Sequence, residues 1–347
     1  MNRIIAKLKR ALFGALLSLP LIAGAQTIPT YTVGAAEVVP VPPGPNNINT
    51  WYFNDSVFPY MYAADGVTKM GFFGAGAVNR YSGVDMMHLQ PAPGAVTVTR
   101  AAGVDGTWAN AYDANGDWML TATRAADGTL VGFVHGENHQ FSDGVYGEWN
   151  SSGVWTSTDD GKTWTNWGVI VGSPKPANGG VYGGAGLSEV IWDAKNNRWL
   201  GYGGNQPFVS YDMYAKPGTW FGMDSSGNFT IQMDPTTKPV GLTSAHGLTG
   251  AVTWGGLSYN TYIKQYIMTW MPFGDTQTAY AAFSGDGTNW GAAIPLFSED
   301  ASHYITYPSI IGPTDTSTQQ DTYLVYERTP PTGPNRNDIV RRPLNFK

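Results

Sequence analysis

Past Asn49 one unit of chain returns five times, and this recurrence constrains the fold more than any other feature of the sequence. Each unit has a Gly-rich or turn-like start, a short apolar strand, a polar Asp/Asn/Gly turn, a second strand rich in Trp, Tyr and Phe, and one or two edge strands. The first runs from Trp51-Tyr52-Phe53 through Ala64-Asp65-Gly66 to residues 69–73, then 86–89 and 96–98. The second sets residues 108–112 against 118–121 across the turn 113–116, and continues through 130–134 to a closing pair around 154–156 and Trp164. In the third, 187–192 meets 199–202 across 193–197; in the fourth, 251–254 pairs with 262–270 and is followed by 279–283. The fifth pairs 304–311 with 322–327 and ends at 339–342. Two apolar runs joined by an Asx/Gly turn form a hairpin. Five such units of about 60 residues predict an all-β, five-bladed β-propeller, with a six-bladed propeller as the alternative. A sandwich would supply strands without the fivefold return.

Composition agrees. The chain holds 44 Gly and 23 Pro, and its 13 Trp, 19 Tyr and 14 Phe equal in number its 20 basic plus 26 acidic residues. That balance argues against helical bundles, coiled coils and charge-driven disorder. Before the repeats, Arg3, Lys7, Lys9 and Arg10 precede an apolar run over 11–22 and the small-residue site Ala23-Gly24-Ala25, so residues 1–25 read as a signal peptide. The mature chain is therefore expected to be secreted or periplasmic. Removing the leader leaves 16 basic against 26 acidic residues, a bias opposite to that of nucleic-acid or anionic-membrane binders. With no cysteine, an exported fold of this size must be held by core burial. Residues 26–49, with five prolines from Pro29 to Pro45, read as an extended arm adding little to a core, and residues 50–347 as one propeller acting as a monomer.

One local motif is specific. Ser157-Thr158-Asp159-Asp160-Gly161-Lys162-Thr163-Trp164 fits the Ser-x-Asp-x-Gly-x-Thr-Trp pattern of the Asp box, a turn between outer strands of a propeller blade, and Ser284-Gly285-Asp286-Gly287-Thr288-Asn289-Trp290 is a degenerate copy. In such a turn the Ser and Asp side chains take up turn amides, Gly supplies positive φ, and Trp packs between blades. Asp159, Asp160 and Asp286 are thus expected to be structural.

Chemistry in a propeller concentrates where the inner strands converge on the axial mouth. Acids near inner strands are few: Asp55, Asp85, Glu137 and Glu189. Asp55 stands in the apolar stretch Phe53-Asn54-Asp55-Ser56-Val57-Phe58-Pro59, where an unpaired carboxylate is costly. Glu189 follows a glycine-rich run in which backbone can approach a ligand closely. His135, Glu137 and His139 alternate, so on a strand they share one face. That face could bind a divalent metal, orient a sugar or hold a His–carboxylate pair. His303, before the fifth inner strand, could meet it across the axis, and His246 precedes the fourth. Trp51, Trp108 and Trp254 are candidate platforms for sugar rings.

The five-blade reading and the Asp box resemble the glycoside hydrolases of the five-bladed propeller clans, the arabinanase, xylosidase and fructosidase families among them. The stretches 54–59, 83–85 and Phe133-Val134-His135-Gly136-Glu137-Asn138-His139 are also similar to secreted propellers regarded as carbohydrate-active. The resemblance implies a carbohydrate substrate cleaved by a carboxylate acid/base pair. It implies a general base on the first blade's inner strand, which falls to Asp55, and a general acid as Glu on a later blade, which falls to Glu189, with Glu137 as a further catalytic candidate. His135, His139, Asp85 and His303 would then hold substrate. No cofactor is expected, with a divalent ion such as calcium at the axis as the alternative. Sialidases also carry Asp boxes, but their N-terminal Arg-Ile-Pro motif is absent and only eight arginines lie outside the leader. The alternatives are a lyase using His135 or His139 with a Tyr, and a sugar-binding propeller without catalysis.

Overall fold

The computed structural model describes residues 27–42, 56–74, 76–107, 110–186, 189–234, 237, 239–248, 255–272, 277–329 and 338–347. Among them the strands form five separate sheets, each built around an antiparallel meander: a five-bladed β-propeller. Among the described residues there is no α-helix, and a 3-10 turn at Met86–His88 interrupts the first blade.

The first blade consists of Tyr60–Tyr62, Lys69–Phe73, Asn79–Gly83 and Gln90–Pro91, and the second of Gly116–Arg124, Leu130–Asn138, Glu148–Ser157 and Thr163–Val171. The third runs through Val190–Asp193, Arg198–Gly203, Gln206–Ser210, Trp220–Met223 and Phe229–Gln232. Leu257–Asn260, Gln265–Trp270, Thr278–Ser284 and Ile294–Ser298 make the fourth, and Tyr304–Ile311, Asp321–Thr329 and Asp338–Phe346 belong to the fifth. The first strands of successive blades, from the first to the fifth, contact one another, so they are the inner strands. We call the face on which they begin the upper face.

The core is divided into five wedges, one between each pair of adjacent blades. The period-two rule accounts for this directly. Val190, Trp199 and Phe208 of the third blade pack toward Phe133 and Val154 of the second, while their strand neighbours Ile191, Leu200 and Val209 pack toward Tyr266 and Met268 of the fourth. Every blade thus buries both faces, which is why the strands are so apolar and why Trp155, Trp164, Trp199 and Trp220 are fully buried.

The two Ser/Asp/Gly/Trp turns sit on the lower face and tie each blade to the one before it. Ser157 Oγ accepts from Gly161 N (2.9 Å), Asp159 Oδ1 accepts from Thr163 N (2.9 Å), and Trp164 Nε1 donates to the Gly161 carbonyl (3.0 Å). Asp160, at φ 59°, turns its carboxylate out to pair with Arg124 and to accept from Ala64 N of the first blade (3.2 Å). The Trp164 ring meets Phe72 of that blade edge-on at 5.4 Å. In the copy, Ser284 Oγ accepts from Gly287 N (2.9 Å), and Trp290 Nε1 donates to the hydroxyl of Tyr202 in the third blade (2.9 Å).

Three features of the sequence reading change. Residues 110–112 do not form the second blade's inner strand; Gly116–Arg124 does, and Tyr112 lies across the sheet, where a Cβ on Gly136 or Gly153 would collide with its ring or hydroxyl. Thr97–Arg100 does not close the first blade but pairs in parallel with Thr163–Asn166 on the outer edge of the second. The N-terminal arm joins the fold: Tyr31–Val33 pairs with Leu344–Phe346 and completes the fifth blade, Glu37–Val38 pairs with Val340–Arg341, and Val39 is buried between the fifth and first blades. Closing the ring with the two chain ends removes one exposed sheet edge.

Candidate functional site

On the upper face the second and third blades meet through a single stretch of chain. Leu130–Asn138 ends level with the start of the inner strand, since Gly116 faces Glu137 in register. Glu148–Ser157 starts there too, with Asn150 opposite Glu137 and Ser152 opposite His135. Tyr182–Ala185 then adds in parallel to Glu148–Ser151, and the chain passes through Gly186 to Glu189 and the third blade's inner strand. Close approach dictates Gly184, where a Cβ would lie 2.1 Å from the Asn150 carbonyl; Gly186 lies beside His135, with a Cβ there in ordinary contact at 3.5 Å from Nδ1.

The alternating triad sits as its spacing predicts. His135 Nε2 is 3.2 Å from Glu137 Oε1 and His139 Nε2 is 2.9 Å from Glu137 Oε2, all three side chains being partly buried. Partial burial would push the Glu137 carboxyl up, but the hydrogen bonds and charge of His135 and His139 outweigh it and hold the group below its usual range. The His135 ring lies against Trp118 of the inner strand at 5.6 Å. Beyond His139 stand two exposed rings, Tyr146 and Tyr182, 6.1 Å apart and 59% and 70% accessible.

Nearer the axis lies a second group. Glu189 is fully buried; its Oε2 accepts from the Leu257 amide of the fourth blade, and its Oε1 has no hydrogen-bond partner among the described residues. Gly256 must be glycine here, because a Cβ would come within 2.9 Å of Glu189 Oε2 and of Ser309. Asp315, from the loop after the fifth inner strand, reaches in from the far side and is 1% exposed. It accepts from Thr121 Oγ1 of the second blade's inner strand (2.8 Å), and its amide donates to the Tyr60 carbonyl of the first. Burial first, and then the charge of Asp315, raises Glu189 well above the usual carboxylate range. Burial likewise pushes Asp315 up to about 7 against the hydrogen bonds it accepts. Enclosure of this kind favours the protonated form of a carboxyl. Beside them Tyr307, at φ 52° in a bulge of the fifth inner strand, crosses to pack with Val57 against the wedge between the second and third blades. A bulky residue in the left-handed region is strained backbone of the kind that gathers at sites.

The remaining expected residues are placed as follows. Asp55, Trp51, Trp108 and Trp254 lie outside the described residues, as does the 1–25 leader. Ser56, the residue after Asp55, hydrogen-bonds the Met119 carbonyl of the second inner strand (3.3 Å). Asp85 caps the 3-10 turn of the first blade, accepting from Met87 N (2.8 Å) and lying 2.7 Å from His88 Nδ1, apart from the other candidates. His303 is engaged by its own turn, 3.0 Å from both Asp300 and Ser302, rather than by the triad. His246 bridges to Asn289 beside the lower-face turn. The sequence reading missed Asp315, Glu148, Tyr146 and Tyr182. It also passed over Asp117, which stands on the inner strand, raised well above its usual range by burial and by the charge of Asp113.

No protein-family model matches the chain, and no curated protein matches it in sequence. Solved structures share its fold. A candidate glycoside hydrolase of Parabacteroides distasonis is 13% identical over 92% of this chain and 97% of its own, with a TM-score of 0.53. A glycosyl hydrolase of Bacteroides ovatus is 13% identical over 90% and 94%, with a TM-score of 0.50. A protein of unknown function from Dyadobacter fermentans is 12% identical over 92% and 100%, also at 0.50. The chain therefore shares the propeller fold of known glycoside hydrolase structures.

Proposed function

We propose that the chain is an exported glycoside hydrolase that cleaves an uncharged polysaccharide or oligosaccharide at the upper mouth of the propeller, with Glu189 as its proton donor. The observation that carries this reading is the setting of Glu189: a fully buried carboxyl at the start of an inner strand, raised by that burial and by the charge of Asp315, with one oxygen left without a hydrogen-bond partner among the described residues. Glycoside hydrolysis needs such a group to protonate the departing oxygen, together with an ionised carboxylate to activate water or attack the sugar. Asp55 takes the second role in this reading, supported by the place of Ser56 against the second inner strand. His135, Glu137 and His139 hold the sugar beside Gly186, and the exposed rings of Tyr146 and Tyr182 offer faces on which it can stack. Because Glu189 is enclosed, turnover requires the upper face to part above it.

Shared fold with glycosidases supports the reaction class. A lyase would need cationic groups to stabilise an enolate beside a uronate carboxylate; the triad's imidazoles face Glu137 instead, which favours an uncharged sugar. The test is turnover of a panel of neutral oligosaccharides by the mature chain, followed as released reducing ends. Glu189→Gln and Asp55→Asn should each lower kcat by about 10²-fold or more. Full turnover by either variant removes that residue from its role. Binding without any product would make the protein a lectin.

A further inference from the structure

Glu189 stands at the start of an inner strand, yet no part of it is exposed, so whatever covers it must move before anything can react there. We propose that the ring of Tyr307 is this cover: a gate across the axial mouth, hinged at the bulge of the fifth inner strand, that swings aside to admit a ligand to Glu189. The inference deepens the reading of Glu189 as a reacting group and rests on it, because a carboxyl with no reaction to perform needs no gate.

Position is the first reason. Hinge and carboxyl are held by consecutive amides of the fourth blade: Gly256 N donates to the Pro308 carbonyl (3.1 Å), and Leu257 N donates to Glu189 Oε2. Ser309, the next residue of the hinge strand, lies against the same glycine, where a Cβ would come within 2.9 Å of both Ser309 and Glu189 Oε2. The Tyr307 ring reaches the other way. It packs against the wedge between the second and third blades, to which Val190, the residue after Glu189, belongs. With its backbone on the fourth-blade side of Glu189 and its ring on the second-blade side, Tyr307 spans the carboxyl. Tyr307 is only half-buried, whereas Glu189 and Asp315 are enclosed.

Backbone strain is the second and independent reason. Tyr307 holds φ 52°, in the left-handed region that is costly for a bulky side chain. It also precedes Pro308, and a proline ring pushes the residue before it toward extended backbone. Turning to an extended φ relieves both. The bulge keeps such a change local: Thr306 pairs with Glu327 and Ser309 with Val325, so Tyr307 and Pro308 together oppose Tyr326 and the register on either side is untouched. Pro308 is the fixed end of the hinge, since its carbonyl accepts from Thr269 Oγ1 (2.6 Å) as well as from Gly256 N. Strained backbone of this kind gathers at clamps and switches, where a second arrangement lies within reach.

The test reads access to Glu189 rather than turnover, so the gate can fail while the catalytic role stands, and the reverse. Native protein is treated with a water-soluble carbodiimide and an amine, and coupling at Glu189 is followed by peptide mass spectrometry. Asp193, at the far end of the same strand and 1% exposed, is the internal reference. Tyr307→Gly removes the ring and accepts a positive φ. It should couple at Glu189 at least about tenfold faster than the parent, with the rate at Asp193 unchanged. An unchanged rate at Glu189, or equal acceleration at both carboxyls, would overturn the gate. Should that variant fail to fold, the parent decides. Opening one ring exposes little surface, so coupling at Glu189 should stay nearly constant in urea well below the unfolding midpoint. A rate that climbs there with the full unfolding slope would mean that Glu189 is reached only by unfolding, and the proposal would fall.

Discussion

Replacing Asp315 with Asn probes the enclosed pair on which the protonation of the site rests. Asp315 is 1% exposed, and burial pushes its carboxyl up to about 7 against the hydrogen bonds it accepts from Thr121 and the backbone. An acid whose folded pKa lies above its unfolded value has no effect on stability below about pH 4, where both states are protonated. As pH rises from there, the unfolded chain ionises while the folded chain keeps its proton, so stability falls by up to about 1.4 kcal/mol per pH unit. Above about pH 7 the loss levels off. From the ordinary value of 3.8 to about 7 it accumulates to something on the order of 4 kcal/mol. Asn has no proton to lose and keeps an oxygen for the Thr121 hydroxyl, so the substitution removes this slope without breaking that bond. Urea unfolding of parent and Asp315→Asn between about pH 4 and 8 measures the difference, provided the denaturant slope m is unchanged. The variant should be level with or below the parent at the acid end and gain up to about 4 kcal/mol on it by the alkaline end. A stability difference that does not change with pH would refute the claim that Asp315 is held protonated.

Two further substitutions test how the ring is held. Gly161→Ala places a methyl group 2.4 Å from Phe72 at a position with φ 74° and should cost about 2–4 kcal/mol in urea unfolding; a cost under about 0.5 kcal/mol would mean that the lower-face turn does not lock the first two blades together. A chain that begins at Pro40 after the leader loses the Tyr31–Val33 closure and buried Val39, and its unfolding free energy should drop by about 3 kcal/mol or more, whereas an unchanged midpoint would leave the arm without a structural role.

What the sequence disclosed was local, and what it concealed was distant. Residues 157–164 read correctly as an outer-strand turn, because the bonds that Ser157, Asp159 and Trp164 make within it span four residues or fewer. His135, Glu137 and His139 could be placed on one face because a strand's side chains alternate without reference to the rest of the fold. Glu148 joins them only through the register that puts Asn150 opposite Glu137, and no periodicity announces a register. Asp315 sits among Thr, Asp and Ser residues that look like a solvent-facing turn, yet the propeller axis encloses it. The inner strand of the second blade was displaced for a related reason. Residues 108–112 and 118–121 both start with a Trp followed by an apolar residue, and what separates them is the long-range fit of Tyr112 over Gly136 and Gly153. The arm showed only its prolines, while the strand pairing that draws Tyr31–Val33 into the fifth blade comes from the other end of the chain.

The central claim is that Glu189 delivers the proton to the departing sugar oxygen. It is tested most directly by comparing Glu189→Gln with the parent on two glycosides that differ only in the leaving group, an alkyl or sugar alcohol against a dinitrophenolate that departs without protonation. The account predicts that the variant loses about 10²-fold or more in kcat on the poor leaving group and far less on the good one. Equal losses on both substrates, or no loss on either, would contradict it and leave Glu189 as a buried partner of Asp315 alone.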